Sequence, residues 1–379
     1  MIGRGNEVLV INPGSATVKF RIYSNDKIIL DGVIDGIGKV SDIDVDFLGA
    51  CMKGTKKINN YKDAANFILD FIEDALKGVK IRKVAYRVVH GGSFKDHVVI
   101  TKSVLRTLKQ ISKLAPLHMP QAIDMIKVLM KKLKAKHIAC FDTAFHRTMP
   151  DLARIYALQL KITKKYNIQR YGFHGLAHQY MLEKANEYFG KGFSKIITCQ
   201  LGNGTSITAV KNRKSIDTSM GFTPLEGVVM GTRSGSIDPS IVAYLSKKEG
   251  ISADRVIEIL NNESGLRGIS GESDVRKLLK RKDKQARLAL DLFAYSVKKY
   301  IGAYIAALGG VDVIMLGGGI SRSPLIIQKI LSGLEELGIV IDKNKIKEKA
   351  PACISKGRVK VCVLETDEQK IMYGISRRF

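Results

Sequence analysis

Five cysteines among 379 residues, an odd number with no C-x-x-C pair, argue against a disulfide framework or a thiol-rich zinc site. Acidic side chains are also in deficit. There are 36 Asp and Glu against 62 Lys and Arg, a formal net charge of +26. That surplus favours anionic partners, whether nucleic acid, a membrane surface or small phosphorylated molecules, and does not choose among them. No Pro-rich linker or low-complexity tract interrupts the chain, so its domains are expected to meet directly. The opening MIGRGNE lacks the apolar core of a signal peptide. The nearest approach to a membrane span is residues 301–320, where Asp312 is the only charge. Six glycines in that stretch make it a helix end, a turn and a buried strand instead. These absences point to a soluble protein of a reducing compartment, the cytoplasm, with no membrane partner.

What is present is a globular composition, 45% apolar and 26% charged, in a chain long enough for two or three domains. Residues 8–11 form an apolar strand that runs into Asn12-Pro13-Gly14-Ser15-Ala16-Thr17 and returns through residues 18–23, with a turn at 24–26. Residues 196–210 repeat the pattern around Gly202-Asn203-Gly204-Thr205-Ser206. Aligned, VLVINPGSATVKFRIYSNDKII and IITCQLGNGTSITAVKNRKSID share strand, small-residue turn and hairpin, which suggests two related α/β domains. Helical spacing marks Phe67, Ile68, Phe71, Ile72 and Leu76, and again Ile123, Ile126, Met130 and Leu133. Residues 285–308 carry Leu288, Leu292, Tyr295, Ile301 and Ile305 on an expected core face that stops at Gly309-Gly310.

Three glycine-rich turns follow apolar strands, at residues 12–17, 202–206 and 317–321. Backbone N–H groups with Ser and Thr hydroxyls make an anion cradle, although none matches a P-loop or a G-x-G-x-x-G fingerprint. Together they favour a nucleotide site, with Lys19 as an added charge or simply a solvated lysine. Arg87, at the end of an apolar strand before Gly91-Gly92, meets either an anion or a carboxylate. Asp142 ends another strand, where it suits Mg²⁺ near phosphates or caps the following helix. His174 and His178 are spaced i, i+4, but Gly172 and Gly175 argue against a regular helix there, so a histidine aimed at a phosphoryl group outranks a zinc site. Arg233 stands among small residues, able to reach a ligand.

VINPGSATVKF, YRVVHGG, APLHMP, FDTAFHRTMP, QRYGFHGLAH, LGNGTSI, DTSMGFTPLEGVVMGTRSGSIDPSI and ESGLRGISG occur in the order found in the acetokinase family, and the chain resembles that family from about Val8 onward. The resemblance implies an α/β fold of two related actin-like, ribonuclease H-like domains with an active-site cleft between them. The expected boundaries are 1–146, with 369–379 packing back on it, and 147–368. It implies Mg²⁺-dependent (or Mn²⁺-dependent) in-line phosphoryl transfer from ATP to acetate, giving acetyl phosphate and ADP, by a homodimer. Catalysis would fall to Arg87, Asp142, His174 and Arg233, and the acetate methyl group to Val89, Leu117, Phe173 and Pro224, with Arg87 on the carboxylate. The nucleotide would lie on Ser15, Thr17, Lys19, Gly202, Asn203, Gly204, Asp274, Val275, Arg276, Gly318, Gly319 and Ile320, and the metal near Asn12 and Glu368.

Acetate is already a nucleophile at neutral pH, carboxylate pKa values lying near ~4, so no general base is needed. The chain departs from the family at Gln200, where a His is usual, and at Ser321-Arg322-Ser323, where Gly-Glu-Asn is usual; both touch the nucleotide shell. Two alternatives stand beside this expectation. One is a kinase for propionate or butyrate, which a pocket separates from acetate by only about 1–3 kcal/mol per methylene. The other is a nucleotide- or nucleic-acid-binding relative. The lysine runs at 131–132, 164–165, 247–248 and 280–282 lack interleaved aromatic residues, which favours solvated helix faces and no nucleic-acid partner.

Overall fold

The computed structural model describes residues 7–116, 118–190 and 192–379. The chain divides into two compact units, one running to Ala144 and regaining Asp367–Phe379, the other Phe145–Thr366.

In the first unit, a continuous buried run builds strand β1 (Glu7–Pro13), and β2 (Thr17–Ser24) and β3 (Lys27–Asp35) pair onto it in turn; β4 (Lys39–Phe47) and the edge strand β5 (Ala50–Ile58) extend them. β6 (Ile81–Val88), β7 (Val98–Val99) and β8 (Lys136–Phe141) complete a sheet of order β5-β4-β3-β2-β1-β6-β8-β7. β1, β6 and β8 are parallel neighbours. Asn60 caps the Tyr61–Ala75 helix by accepting from the backbone N–H groups of Lys62 and Asp63. The Glu368–Arg377 helix, capped by Asp367, packs on β1 and β6. An Arg21 guanidinium joins Asp31 and Asp367, both at 2.7 Å, and so ties that returning segment to β2 and β3.

The second unit repeats the plan with β9 (Lys195–Leu201), β10 (Thr205–Lys211), β11 (Lys214–Thr218), β12 (Val313–Gly317), β13 (Ala352–Cys353) and β14 (Lys360–Leu364). Their order is β11-β10-β9-β12-β14-β13. Both sheets thus share a third-second-first-fourth-fifth core, the two related α/β domains that the repeated hairpin suggests, in the ribonuclease H-like form that the resemblance implies. The sheet is buried on both faces, as a parallel core requires. Ile196, Val210, Val313, Met315 and Leu364 pack with Met181, Leu182 and Ala185 of the Gly175–Phe189 helix. Ile197, Cys199, Ile207, Ile314 and Leu316 pack with the Lys284–Leu308 helix.

Of the face expected on that long helix, Ile301 is buried and Ile305 packs partly buried on the core, whereas Leu288, Leu292 and Tyr295 are exposed by 59%, 38% and 57%. Ala289, Leu290, Phe293, Val297, Tyr304 and Leu308 complete the buried side. The helix is apolar on both sides, so spacing alone does not separate the two. The cysteine expectation also needs correction: Cys353 and Cys362, directly opposite on β13 and β14, form a disulfide, while Cys51, Cys140 and Cys199 are free. Residues 301–320 are the helix end, turn and strand anticipated, and Asp312 accepts from the backbone of Ser194 and Lys195. Among the described residues no helix is long and apolar enough to cross a membrane.

Candidate functional site

Several of the candidate residues lie at the carboxyl ends of parallel strands, where an open α/β sheet leaves backbone and side chains available to a ligand. In the first unit Asn12 lies near the end of β1, Arg87 near the end of β6 and Asp142 just past β8. Parallel pairing sets Arg87 level with Cys140, which brings it to Asp142, 55 positions away. Arg87 donates from Nη2 (2.8 Å) and Nε (3.1 Å) to Asp142 Oδ2, and from Nη1 to Asn12 Oδ1 at 3.3 Å. Burial opposes the charge, but Asp142 and then Glu368 outweigh it and hold the Arg87 guanidinium above its usual pKa. Asp142 is fully buried and its own N–H is held by the Val88 carbonyl. The carboxylate therefore faces the arginine and does not cap a helix.

Ser15 and Lys19 are exposed and Thr17 is half-buried on the first glycine turn, which closes through a 2.7 Å bond from the Gly14 N–H to the Thr17 carbonyl. Val89 is buried behind Arg87. Leu117 lies outside the described residues. Glu368 opens the last helix, half-buried.

In the second unit His174 adopts a left-handed backbone (φ 56°) and precedes the Gly175–Phe189 helix, so His178 stands in its first turn. The segment is non-helical through His174, as the two glycines suggest, but a helix starts at Gly175 and takes in His178, which corrects the rest of the expectation. Among the described residues no group of three or more His, Cys, Asp or Glu side chains is arranged to hold a metal. His146 orients the segment before His174: its Nε2 bonds the Phe173 carbonyl at 2.9 Å and its Nδ1 the Ser215 hydroxyl at 3.0 Å. Burial pulls its pKa down to about 4. Phe173 itself is buried.

Gly204 shows how closely the second glycine turn meets this histidine. A Cβ there would lie 3.4 Å from His174 Nε2 and 3.5 Å from Arg233 Nη1. His174, Arg233 and the 202–206 turn therefore share one locus. Arg233 Nη1 also approaches the Pro224 carbonyl at 3.3 Å and Met230 Sδ at 3.8 Å, and burial lowers the guanidinium pKa. Its loop is fixed by bonds from Ser264 N–H to the Thr232 carbonyl and from Leu266 N–H to the Met230 carbonyl. Gly265, with φ +63°, lets that helix start pass directly over the carbonyls of Met230 and Arg233, where a Cβ would collide.

The third turn meets the second. Gly318 (φ +89°) packs on the Leu201 carbonyl and Gln200 Nε2, while Gly319 opens to free space and Ile320 is half-buried. Gln200 Oε1 is buried without a hydrogen-bond partner. Asp274 caps Val275–Leu278 and pairs with Arg276 at 2.6 Å; that arginine holds the Asp274 carboxyl down to about 2. Val275 is buried.

Ser206 bonds His174, His178 bonds Ser206, and Thr198, which no motif singled out, bonds His178 and so joins this locus. The i, i+4 spacing of the histidines and the Ser directly after GNGT were the signals available.

The model of the acetokinase family matches residues 7–373. The chain is 47% identical over 385 residues to an acetate kinase from Thermoanaerobacterium thermosaccharolyticum, with 96% of each covered. Among solved structures, a propionate kinase from Francisella tularensis superposes with a TM-score of 0.91 at 35% identity, over 99% of this chain and 100% of that one. An acetate kinase from Porphyromonas gingivalis gives 0.87 at 35% identity, over 99% of each.

Proposed function

The chain belongs to the acetokinase family, and from that premise we propose that it transfers a phosphoryl group reversibly between ATP and acetate. An acetate oxygen attacks the γ-phosphorus, the bond to the β–γ bridging oxygen breaks, and acetyl phosphate and ADP result. The observation that carries the reading is the convergence of His174 and Arg233 on the glycine turn at 202–206. Phosphoryl transfer spreads charge over equatorial oxygens, so preset donors and a backbone cradle supply most of what the protein must add.

His174 and Arg233 serve the transferring group. The turns at 202–206 and 318–320 hold the nucleotide, with the Asp274–Arg276 segment beside the adenosine and Ser15, Thr17 and Lys19 toward phosphate. Arg87 binds the carboxylate, and Asp142 holds Arg87 in place through its two-point ion pair instead of accepting a proton.

Mg²⁺ fits this donor set: it keeps its waters and substrate phosphates and takes one or two protein oxygens, here Glu368 and Asn12, whereas a site for zinc would need more. When bound, it neutralises phosphate charge. We also read the enzyme as a cytoplasmic homodimer, supported by the exposed Leu288, Leu292 and Tyr295 along one side of a helix.

Hydroxylamine trapping of acyl phosphate, with ATP and acetate, propionate or butyrate in turn, tests the reaction. Acetate is expected to be the best acid and propionate a poorer one. No product with any acid, from folded protein that binds nucleotide, rejects the proposal.

A further inference from the structure

Four polar side chains of the second unit form one unbroken hydrogen-bonded line. Thr198 Oγ1 lies 2.8 Å from His178 Nδ1, His178 Nε2 lies 2.8 Å from Ser206 Oγ, and Ser206 Oγ lies 2.8 Å from His174 Nδ1. Thr198, His178 and Ser206 are fully buried; His174 is the one member that is partly exposed, beside Gly204. β9 supplies Thr198, β10 supplies Ser206, and the helix that follows His174 supplies His178.

Counting protons gives this line a direction. A hydroxyl has one proton and a neutral imidazole has one N–H, so each bond has a single donor. Burial holds His178 well below its usual pKa, hence neutral. Among the described residues the Thr198 hydroxyl has His178 Nδ1 as its one hydrogen-bond partner. If Nδ1 carried the proton, it would donate to Thr198 and leave the threonine's own proton buried without an acceptor, at a cost of about 1–3 kcal/mol. Thr198 therefore donates to Nδ1, and His178 carries its proton on Nε2 and donates to Ser206. Ser206, having accepted that bond, donates to His174 Nδ1. His174 is left with its proton on Nε2, the nitrogen beside Gly204. His146, edge-on to His178 at 5.6 Å, does not compete, because its own nitrogens are held by Phe173 and Ser215.

We propose that Thr198, His178 and Ser206 are positioning residues that fix His174 as its Nε2–H tautomer, so that it presents a hydrogen-bond donor to a phosphoryl oxygen. The opposite tautomer would offer a lone pair to an anion, which repels it. The bearing on rate rests on the phosphoryl-transfer reading; the tautomer does not.

Long-range proton–nitrogen correlation spectra of histidine-labelled protein read the tautomer directly. The wild type should show His174 protonated on Nε2 alone. Thr198→Val keeps the shape of a buried strand residue but removes the first donor, and Ser206→Ala removes the link itself. Both should give mixed tautomers at His174 and lower kcat roughly fivefold with KM for ATP and acetate little changed, whereas Thr198→Ser should restore both readouts. A wild-type His174 protonated on Nδ1, or a pure Nε2–H form retained in both variants, overturns the proposal. Wild-type protein that makes no acyl phosphate, yet changes tautomer in the variants, upholds the relay and removes the kinase reading instead.

Discussion

The two units are built on one strand order, yet they treat a buried arginine in opposite ways. Arg87, in the first unit, meets the fully buried Asp142 at 2.8 Å, and the pair holds its pKa up. Arg233, in the second, faces a carbonyl oxygen and a thioether, and burial draws its pKa down. A duplicated scaffold thus carries two kinds of site, with Arg87 on a strand and Arg233 on a loop. One carries its own counter-charge and is stable as it stands. The other concentrates N–H and O–H donors around a glycine turn, an arrangement that gains most when an anion arrives.

Removing each arginine should break the comparison most sharply. Arg87→Ala and Arg233→Ala are each expected to lower kcat by about 10²–10³. Arg87→Ala should also destabilise the fold severely, by about 3–5 kcal/mol, because it strands a buried carboxylate. The double variant with Asp142→Ala should recover most of that stability and none of the activity. Urea denaturation beside the hydroxylamine assay separates the two effects; an Arg87→Ala variant as stable as wild type would show that the buried pair with Asp142 does not hold the first unit.

Acid should erase the difference instead, since both units bury histidines in the neutral form. Burial draws His97 of the first unit and His146 of the second to about 4. An unfolded histidine titrates near ~6.5, so between these values the unfolded chain binds more protons and stability falls with falling pH. The contribution is fully present above about pH 6.5 and should shrink by about 2 kcal/mol per histidine by pH 5. His97→Gln and His146→Gln should each flatten the pH dependence of the urea midpoint by a similar amount. A dependence unchanged by either substitution would mean that these imidazoles do not drive it.

How much of this was legible from the chain follows the range of each interaction. The hairpins around Pro13-Gly14 and Gly202-Asn203 are local, and their apolar runs ending in small-residue turns marked both strands and the repeat. The Arg87–Asp142 pair is visible only once β6 and β8 are known to be parallel neighbours, so the sequence left Arg87 suspended between ligand and ion pair. Leu288, Leu292 and Tyr295 misled because an apolar residue declares that it can be buried, not that it is. Ser206 was visible as part of a turn, but its bonds to two imidazoles depend on how a helix lies across the second sheet.

A smaller effect should come from the loop that carries Arg233. Gly265 holds φ +63° against two carbonyls, so Gly265→Ala combines backbone strain with a collision and should cost about 1–3 kcal/mol. The displaced loop should lower kcat about tenfold, since misplacing a reacting group by a fraction of an ångström is enough. Gly319→Ala, where a Cβ meets nothing within 4 Å, serves as the control and should leave stability unchanged. Equal stability losses at the two positions would mean that the crowding around Arg233 is not real.

The finest distinction lies between two amides at matching places in the repeat, Asn12 and Gln200. Asn12 Oδ1 accepts from Arg87, so its oxygen is satisfied within the first unit. Gln200 Oε1 is buried without a partner, beside Gly317 and Gly318. A buried unsatisfied carbonyl is a cost that a methionine of similar length avoids. Gln200→Met should therefore leave the fold as stable as before or raise its stability by up to about 1 kcal/mol, while KM for ATP rises two- to threefold. Asn12→Leu, which strips a partner from Arg87, should instead destabilise by about 1 kcal/mol or more. A Gln200→Met variant less stable than wild type would mean that the amide is satisfied in solution, and the two strand ends would then differ only in the charge of the group they hold.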